Sequence, residues 1–336
     1  MTFSTKTMRR WRAHRSELAV PATSLTLFRK AAASPADVIF LDLEDAVAPS
    51  LKVQARENAI GALRDIDWGR KTLAVRVNGL DTDWGQRDLI EVASNCPRLD
   101  MVLVPKIGTP FDVQFVDALL TGIEREKSRA QKIGIEILIE TTLGLVNVEQ
   151  IAASCERLEA IIFGVGDYSI DLETCGEMIG ASDPRYSVLA APDSGGQRVR
   201  HMADQWHFAL ARIANACKAY GLRAIDGPYA NFGDPEGYRA SAERGAALGF
   251  DGKWAIHPSQ VAIANDVFTP PAHRVSWARQ ILSAIEQQNA EGKGAFQQGG
   301  VLIDMAVEKI ARAILARRLA LEESAGGIPR EPANAS

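Results

Sequence analysis

Asp37 to Glu44 reads DVIFLDLE and Thr72 to Asn78 reads TLAVRVN. Each is a short run of Val, Ile, Leu or Phe ending in charged or amide residues, and between them Leu51 to Arg64 carries apolar residues at helical spacing. Continuous apolar runs mark strands buried on both faces, and such strands joined by helix-length crossovers build parallel sheets. The unit recurs in both directions along the chain. Glu17 to Pro21 (ELAVP) precedes it. Met101 to Lys106 (MVLVPK), Gly134 to Glu140 (GIEILIE), Ala160 to Asp167 (AIIFGVGD), Arg223 to Gly227 (RAIDG) and Lys253 to His257 (KWAIH) follow. Helix-patterned Asp112 to Lys127, Gln205 to Tyr220 and Pro235 to Leu248 lie among them. Eight such units from Glu17 to Phe268 predict a (β/α)8 TIM barrel, which right-handed crossovers close naturally. A doubly wound open sheet would carry a Gly-rich phosphate turn after its first strand, and Pro21-Ala22-Thr23-Ser24 is not one.

The chain has 336 residues, 46% hydrophobic and 24% charged, so it encloses a sizeable core and is neither disordered nor collagenous. Thirty-eight basic against forty-two acidic residues give a net charge of -4 and a pI near 5.8, which excludes a broad nucleic-acid or anionic-membrane surface. No run approaches the roughly 18 apolar residues of a membrane span. Cys96, Cys155, Cys175 and Cys217 form no C-x-x-C pair, which argues against a zinc ribbon and fits a reducing cytoplasm.

Residues 1–15 read as a basic N-terminal segment, expected to fray, 16–268 as the catalytic barrel and 269–323 as a C-terminal helical cap. In the cap, Val275 to Gln288 and Asp304 to Leu321 are helical and Glu291 to Gly300 is a flexible joint. The tail, 324–336, is poor in apolar residues and expected to be disordered. Ile170 to Ala203 is a long polar insertion on the side where barrel active sites sit.

Barrel chemistry collects at the C-terminal ends of the strands. The predicted ends deliver Glu44, Asp45, Arg76, Asn78, Lys106, Glu140, Asp167, Asp226 and His257. Glu140 and Asp167 end neighbouring strands. With no His or Cys beside them they suit a hard ion, Mg²⁺ or Mn²⁺, that chelates and polarises a hydroxy or oxo acid. The alternative is an ion pair with Arg76 or Lys106. Arg76 lies inside an apolar run and should face an anion, such as a developing enolate. Glu44 and Asp45 would orient Arg76, or Asp45 would cap a helix. His257 is either a hydrogen-bonded structural group or a ligand contact through its backbone. Asp304, set in Leu302-Ile303-Asp304-Met305, is a general acid or base of the cap or simply a helix N-cap.

The segments ADVIFLDLEDAVAP, VRVNGLDT, VPKIG, IEILIET, FGVGDYS, DGPY and GKWAIHPSQ together resemble the HpcH/HpaI aldolase and citrate lyase β-subunit superfamily. Within it the chain is most similar to lyases of malyl-CoA and β-methylmalyl-CoA, from about Arg15 to Leu319. The resemblance implies reversible, Mg²⁺- or Mn²⁺-assisted cleavage of a malyl-type CoA thioester to glyoxylate and acetyl-CoA or propionyl-CoA. It makes Glu140 and Asp167 metal ligands and Arg76 the group that stabilises the thioester enolate. Ala19, Val20, Lys30, Gly166, Ile256 and His257 match positions lining the substrate or CoA site, partly through backbone. Asp304 matches a carboxylate carried by the cap of a neighbouring subunit, which implies a homotrimer or homohexamer. Ser24 stands where some members carry an arginine near the CoA phosphates, and the acidic stretch after Asp167 leaves citramalyl-CoA open as substrate. A malyl-CoA thioesterase and a non-catalytic CoA-binding protein are the alternatives on the same scaffold.

Overall fold

The computed structural model describes residues 10–174, 176–290 and 294–326. The first nine residues, Cys175, the start of the Glu291 to Gly300 joint and nearly all of the tail lie outside the described residues. The chain divides after Phe268 into two compact units.

The first unit holds β1 (Ser16–Pro21), β2 (Val38–Asp42), β3 (Thr72–Arg76), β4 (Met101–Val104), β5 (Gly134–Ile139), β6 (Leu158–Phe163), β7 (Ser187–Leu189), β8 (Arg200–Met202), β9 (Arg223–Asp226) and β10 (Gly252–Ala255). Its helices are α1 (Leu25–Ala32), α2 (Lys52–Asp65), α3 (Gly85–Asn95), α4 (Pro110–Glu126), α5 (Thr142–Val146), α6 (Val148–Ala152), α7 (Val165–Asp171), α8 (His207–Tyr220), α9 (Pro235–Leu248) and α10 (Pro258–Val267). Eight strands close into a parallel barrel in the order β1-β10-β9-β6-β5-β4-β3-β2, the (β/α)8 architecture. Helix starts follow local chemistry. Thr109 and Asp112 form a reciprocal capping box at α4, and Asp234 accepts from the Gly237 amide while Pro235 fills the first turn of α9.

Strand parity decides what faces inward. Val38, Phe40, Ala74, Met101, Leu103, Leu138, Ala160, Ile162, Ile225 and Trp254 form the inner cluster, while Ile39, Leu41, Leu73, Val75, Ile137 and Ile161 pack outward beneath the helices. Arg12 and Arg15 are not frayed. Arg12 pairs with Glu159 at 2.8 Å and Arg15 with Asp37 at 2.7 Å, closing the N-terminal end of the barrel.

Two hairpins stand where no strand was expected. In the insertion β7 pairs antiparallel with β8. In the second unit β11 (Phe296–Gln298) pairs with β12 (Val301–Ile303) across Gly299-Gly300, whose φ values of 59° and 82° are those of a two-residue hairpin turn. That unit is completed by α11 (Ala272–Ala290) and α12 (Met305–Gly326), which pack through Ala278, Ile281, Ile285 and Ala311. No helix of the described residues is long and apolar enough to cross a membrane.

Candidate active site

The parity that sends Phe40, Ala74 and Leu138 inward carries two residues further, so Asp42, Arg76 and Glu140 converge inside the C-terminal mouth. They line a cavity of about 410 Å³ with Asp45, Gly166, Asp167, Ile179 and the rings of Phe40 and Trp254. Most strands stop one to four residues earlier than the sequence suggests. Glu44, Lys106, Glu140 and His257 therefore sit on the loops just past the strands, and Asp167 in the first turn of α7.

Arg76 is the most constrained group. Asp42, its register partner on the neighbouring strand, takes it in a fork, with Nε to Oδ1 at 2.7 Å and Nη2 to Oδ2 at 2.6 Å. Nη1 lies 2.9 Å from Glu44 Oε2 and 3.4 Å from Asp45 Oδ2. The Glu44 contact is an ion pair outside hydrogen-bonding angles, and that oxygen has no hydrogen-bond partner among the described residues. The guanidinium carbon lies 5.8 Å from the Phe40 ring and 5.5 Å from that of Trp254. Buried among carboxylates, Arg76 is held charged, since their attraction outweighs desolvation. Asp42 was not singled out in the sequence. Its signal was there: it shares parity with Phe40 and lies level with Arg76. Asp42 also accepts from the Glu44 amide at 2.9 Å, and Lys52 Nζ donates to the carbonyls of Leu43 and Glu44 at 2.9 and 2.7 Å, so the turn after β2 is fixed from both sides.

Opposite Arg76 stands Glu140. Its Oε1 accepts from the Lys106 amide at 2.8 Å, an amide aimed by a main chain in the left-handed region (φ 55°) at a cost of about 1–3 kcal/mol. Gly164 lets Glu140 approach, because a β-carbon there would stand 2.4 Å from Glu140 Cβ. Lys106 Nζ donates to Glu44 Oε1 at 2.5 Å and lies 3.3 Å from Asp167 Oδ2. Burial first, then the charges of Glu44 and Asp167, push the Glu140 carboxyl up to about 8. Around this mouth five carboxylates, Asp42, Glu44, Asp45, Glu140 and Asp167, face the two cations Arg76 and Lys106. An oxygen-only donor pair with surplus negative charge fits a hard divalent ion that would relieve the repulsion on Glu140. Of the ion pairs weighed as an alternative, only Lys106 to Asp167 forms.

The remaining candidates divide. Ala19, Gly166 and Ile256 line the cavity. Val20 has outward parity and buries its side chain in the helix–sheet core, so only its backbone can face a ligand. Lys30 is exposed on α1 and is not among the cavity-lining residues. His257 caps α10, its Nδ1 accepting from the Ser259 amide at 3.2 Å, and stacks on Phe232 with ring centroids 4.8 Å apart. Asp226 points outward into a buried pair with Lys253 at 2.6 Å, and Asn78 donates to Asp88 at 2.6 Å. Neither lines the cavity. In the second unit Asp304 Oδ1 accepts from the amides of Ala306 and Val307 at 2.9 and 3.2 Å, so it caps α12.

A second acidic cluster fills the barrel foot. Ligand atoms of His14, Glu17 and Glu136 lie within 4.8 Å of one another, all buried. They do not suit a metal. Arg223 Nε donates to His14 Nδ1 at 3.1 Å, so the neutral imidazole carries its proton on Nε2, directed at Glu17 Oε2 at 3.1 Å, and offers no lone pair there. Burial holds His14 neutral and raises both glutamic acids. Neither oxygen of Glu136 finds a donor among the described residues, so a proton shared with Glu17 supplies the missing hydrogen bond. Trp254 Nε1 donates to Glu17 Oε2 at 3.0 Å, and its indole separates this layer from the cavity above.

The sequence profile of the HpcH/HpaI aldolase/citrate lyase family matches residues 15–258. The L-malyl-CoA/β-methylmalyl-CoA lyase of Cereibacter sphaeroides is 47% identical over 307 residues, 90% of this chain and 94% of that protein. A malyl-CoA/β-methylmalyl-CoA/citramalyl-CoA lyase of Chloroflexus aurantiacus is 34% identical over 295 residues, covering 87% and 84% respectively. Among solved structures, the CitE protein of Mycobacterium tuberculosis in complex with magnesium, acetoacetate and coenzyme A superposes with a TM-score of 0.68 at 28% identity, over 91% of this chain and 98% of that one.

Proposed function

Since the chain belongs to the HpcH/HpaI aldolase/citrate lyase family, we propose that it is a metal-dependent carbon–carbon lyase, reversibly cleaving malyl-CoA or β-methylmalyl-CoA to glyoxylate and acetyl-CoA or propionyl-CoA. The observation that carries this is the meeting, on one cavity, of a locked guanidinium and a carboxylate pair: Arg76, Glu140 and Asp167. The first suits an enolate oxygen, the second a hard cation.

In this reading Glu140 and Asp167 hold Mg²⁺ or Mn²⁺, which supplies the Lewis acidity that polarises the oxo acid's carbonyl. Arg76 keeps its charge and direction throughout, because Asp42 grips one edge while Glu44 and Asp45 lie against Nη1. As the carbon–carbon bond breaks, the hydroxyl of the malyl group gives its proton to water and becomes the carbonyl. The electron pair of the broken bond moves onto the thioester, and Arg76 meets the negative charge growing on its oxygen without reorganising. Glu44 and Asp45 balance that cation. Asp304, brought by the cap of a second copy in a homotrimer or homohexamer, returns a proton to the enolate carbon in cleavage and removes it in condensation. Remote binding of CoA supplies positioning energy. A cytoplasmic location goes with this reading, supported by Cys96 and Cys217, which are buried thiols rather than disulfides.

The test is product analysis. Purified protein, Mg²⁺ and malyl-CoA should release glyoxylate and acetyl-CoA in equal amounts. Free CoA and malate without any oxo acid would mean a thioesterase instead.

A further inference from the structure

The insertion after α7 sends one side chain back into the cavity. Ile179 lines it, next to the exposed Met178 on one side and the buried Gly180 on the other, and is itself 45% exposed. It lies over Gly166, the residue before Asp167: a β-carbon built on Gly166 would meet two Ile179 carbons at 3.6 Å.

Ile179 is held there. Its carbonyl accepts from the Ala230 amide at 3.1 Å, and the next carbonyl but one, of Ala181, accepts from Trp206 Nε1 at 3.1 Å. Between them Gly180 adopts φ +87° with its α-carbon so close to the loop after β9 that a β-carbon would come within 2.3 Å of the Pro228 carbonyl oxygen. Trp206 in turn packs edge-on to Tyr168, the residue after Asp167, with ring centroids 6.3 Å apart. The insertion is thus latched at Ile179 and on its C-terminal side, and Trp206 links that latch to α7.

Among the other apolar lining residues, Phe40, Leu138 and Trp254 belong to the barrel interior beside Arg76, and Ala19, Pro21, Ala46, Pro228 and Ile256 come from the strand ends and the loops after them. Ile179 comes from the insertion instead, over the residue before Asp167. We infer that Ile179 is a specificity-determining residue that abuts the substituent on the carbon destined to become the oxo acid's carbonyl, admitting hydrogen and resisting methyl. The inference rests on the lyase reading above, in which Asp167 would help hold the ion that binds the oxo acid. It makes glyoxylate the preferred oxo-acid product and pyruvate, released from a citramalyl thioester, the disfavoured one.

A single methyl group in an apolar pocket typically changes discrimination by roughly 10- to 200-fold. The experiment measures kcat/KM for malyl-CoA and citramalyl-CoA, with Mg²⁺, by trapping the oxo acid. Ile179→Ala should raise the citramalyl-to-malyl ratio about tenfold or more, Ile179→Val less, and Ile179→Phe should lower it. Gly180→Ala, which cannot keep the latch, should shift the ratio in the same direction as Ile179→Ala without altering the Ile179 side chain. Equal losses on both substrates, or a ratio unchanged in both Ile179→Ala and Ile179→Phe, would overturn the inference and leave the lyase intact. Absence of any oxo acid from either ester with the unmodified protein would overturn the lyase reading and the inference with it.

Discussion

Arg76 is a buried cation whose direction is set by Asp42 and whose charge is balanced by Glu44 and Asp45. Removing one partner of such a group leaves the other stranded, at a cost of about 3–5 kcal/mol. Asp42→Asn should therefore lower the melting temperature and, by loosening Arg76, reduce kcat by roughly 100-fold, the usual loss when an oxyanion donor is misplaced. Mg²⁺ affinity should change far less, because Asp42 is not one of the carboxylates facing Asp167; calorimetric titration of the variant checks this. At Asp304 two roles must be separated. Asparagine caps a helix about as well as aspartate but takes up no proton, so Asp304→Asn should keep thermal stability and CoA binding while glyoxylate release slows. Equal stability with undiminished turnover would confine Asp304 to capping α12.

At the scale of elements, the turn after β2 depends on Lys52, whose ammonium holds two main-chain carbonyls and lies 5.6 Å from the Trp84 ring. Lys52→Met keeps the stem but orphans those carbonyls. It should cost about 1–3 kcal/mol in chemical unfolding and lower kcat/KM through Glu44. Continuous apolar runs separated by helix-length stretches made most of the barrel readable in advance, since each strand carries its own run. Strand parity, which such runs hide, separates the polar residues. Asp42, Arg76 and Glu140 share the inward parity of Phe40, Ala74 and Leu138, whereas Asp226 and Val20 have the outward one. Counting strand ends alone put Asp226 and Asn78 with the site and passed over Asp42. Both hairpins escaped notice for a physical reason. Three-residue strands such as β7 and β11 are too short to show alternation, and their pairing is decided by the turn between them. Ile179 was equally hidden, because what places it is the contact of Gly180 with a loop nearly fifty positions later.

Across the whole barrel, charge is layered: an acid pair at the foot, an aromatic and aliphatic floor, and the carboxylate mouth. Glu17 and Glu136 face each other among His14, Trp254, Arg12, Arg223 and Glu159, and burial raises both above the ordinary carboxylate range. The folded state then binds a proton that the unfolded chain has released. Its stabilisation is full below the ordinary carboxylate pKa, near 4.3, and is lost as pH rises through the raised folded values. His14 acts in the opposite sense, since a neutral buried imidazole favours the fold above its ordinary pKa and loses that contribution in acid. Glu136→Gln isolates the acid pair. Between pH 5 and pH 8, which spans the rise of the Glu136 carboxyl to about 7, the unmodified protein should lose more melting temperature than the variant. Parallel curves would show that no proton is shared.

The measurement that bears most directly on the lyase reading is glyoxylate release from malyl-CoA across a Mg²⁺ titration, with the unmodified protein beside Asp167→Ala. Saturable activation by Mg²⁺ in the first, and its loss in the second with folding intact, is the expected result. Release of glyoxylate independent of Mg²⁺, or an Asp167→Ala protein with the same Mg²⁺ dependence as its parent, would contradict it.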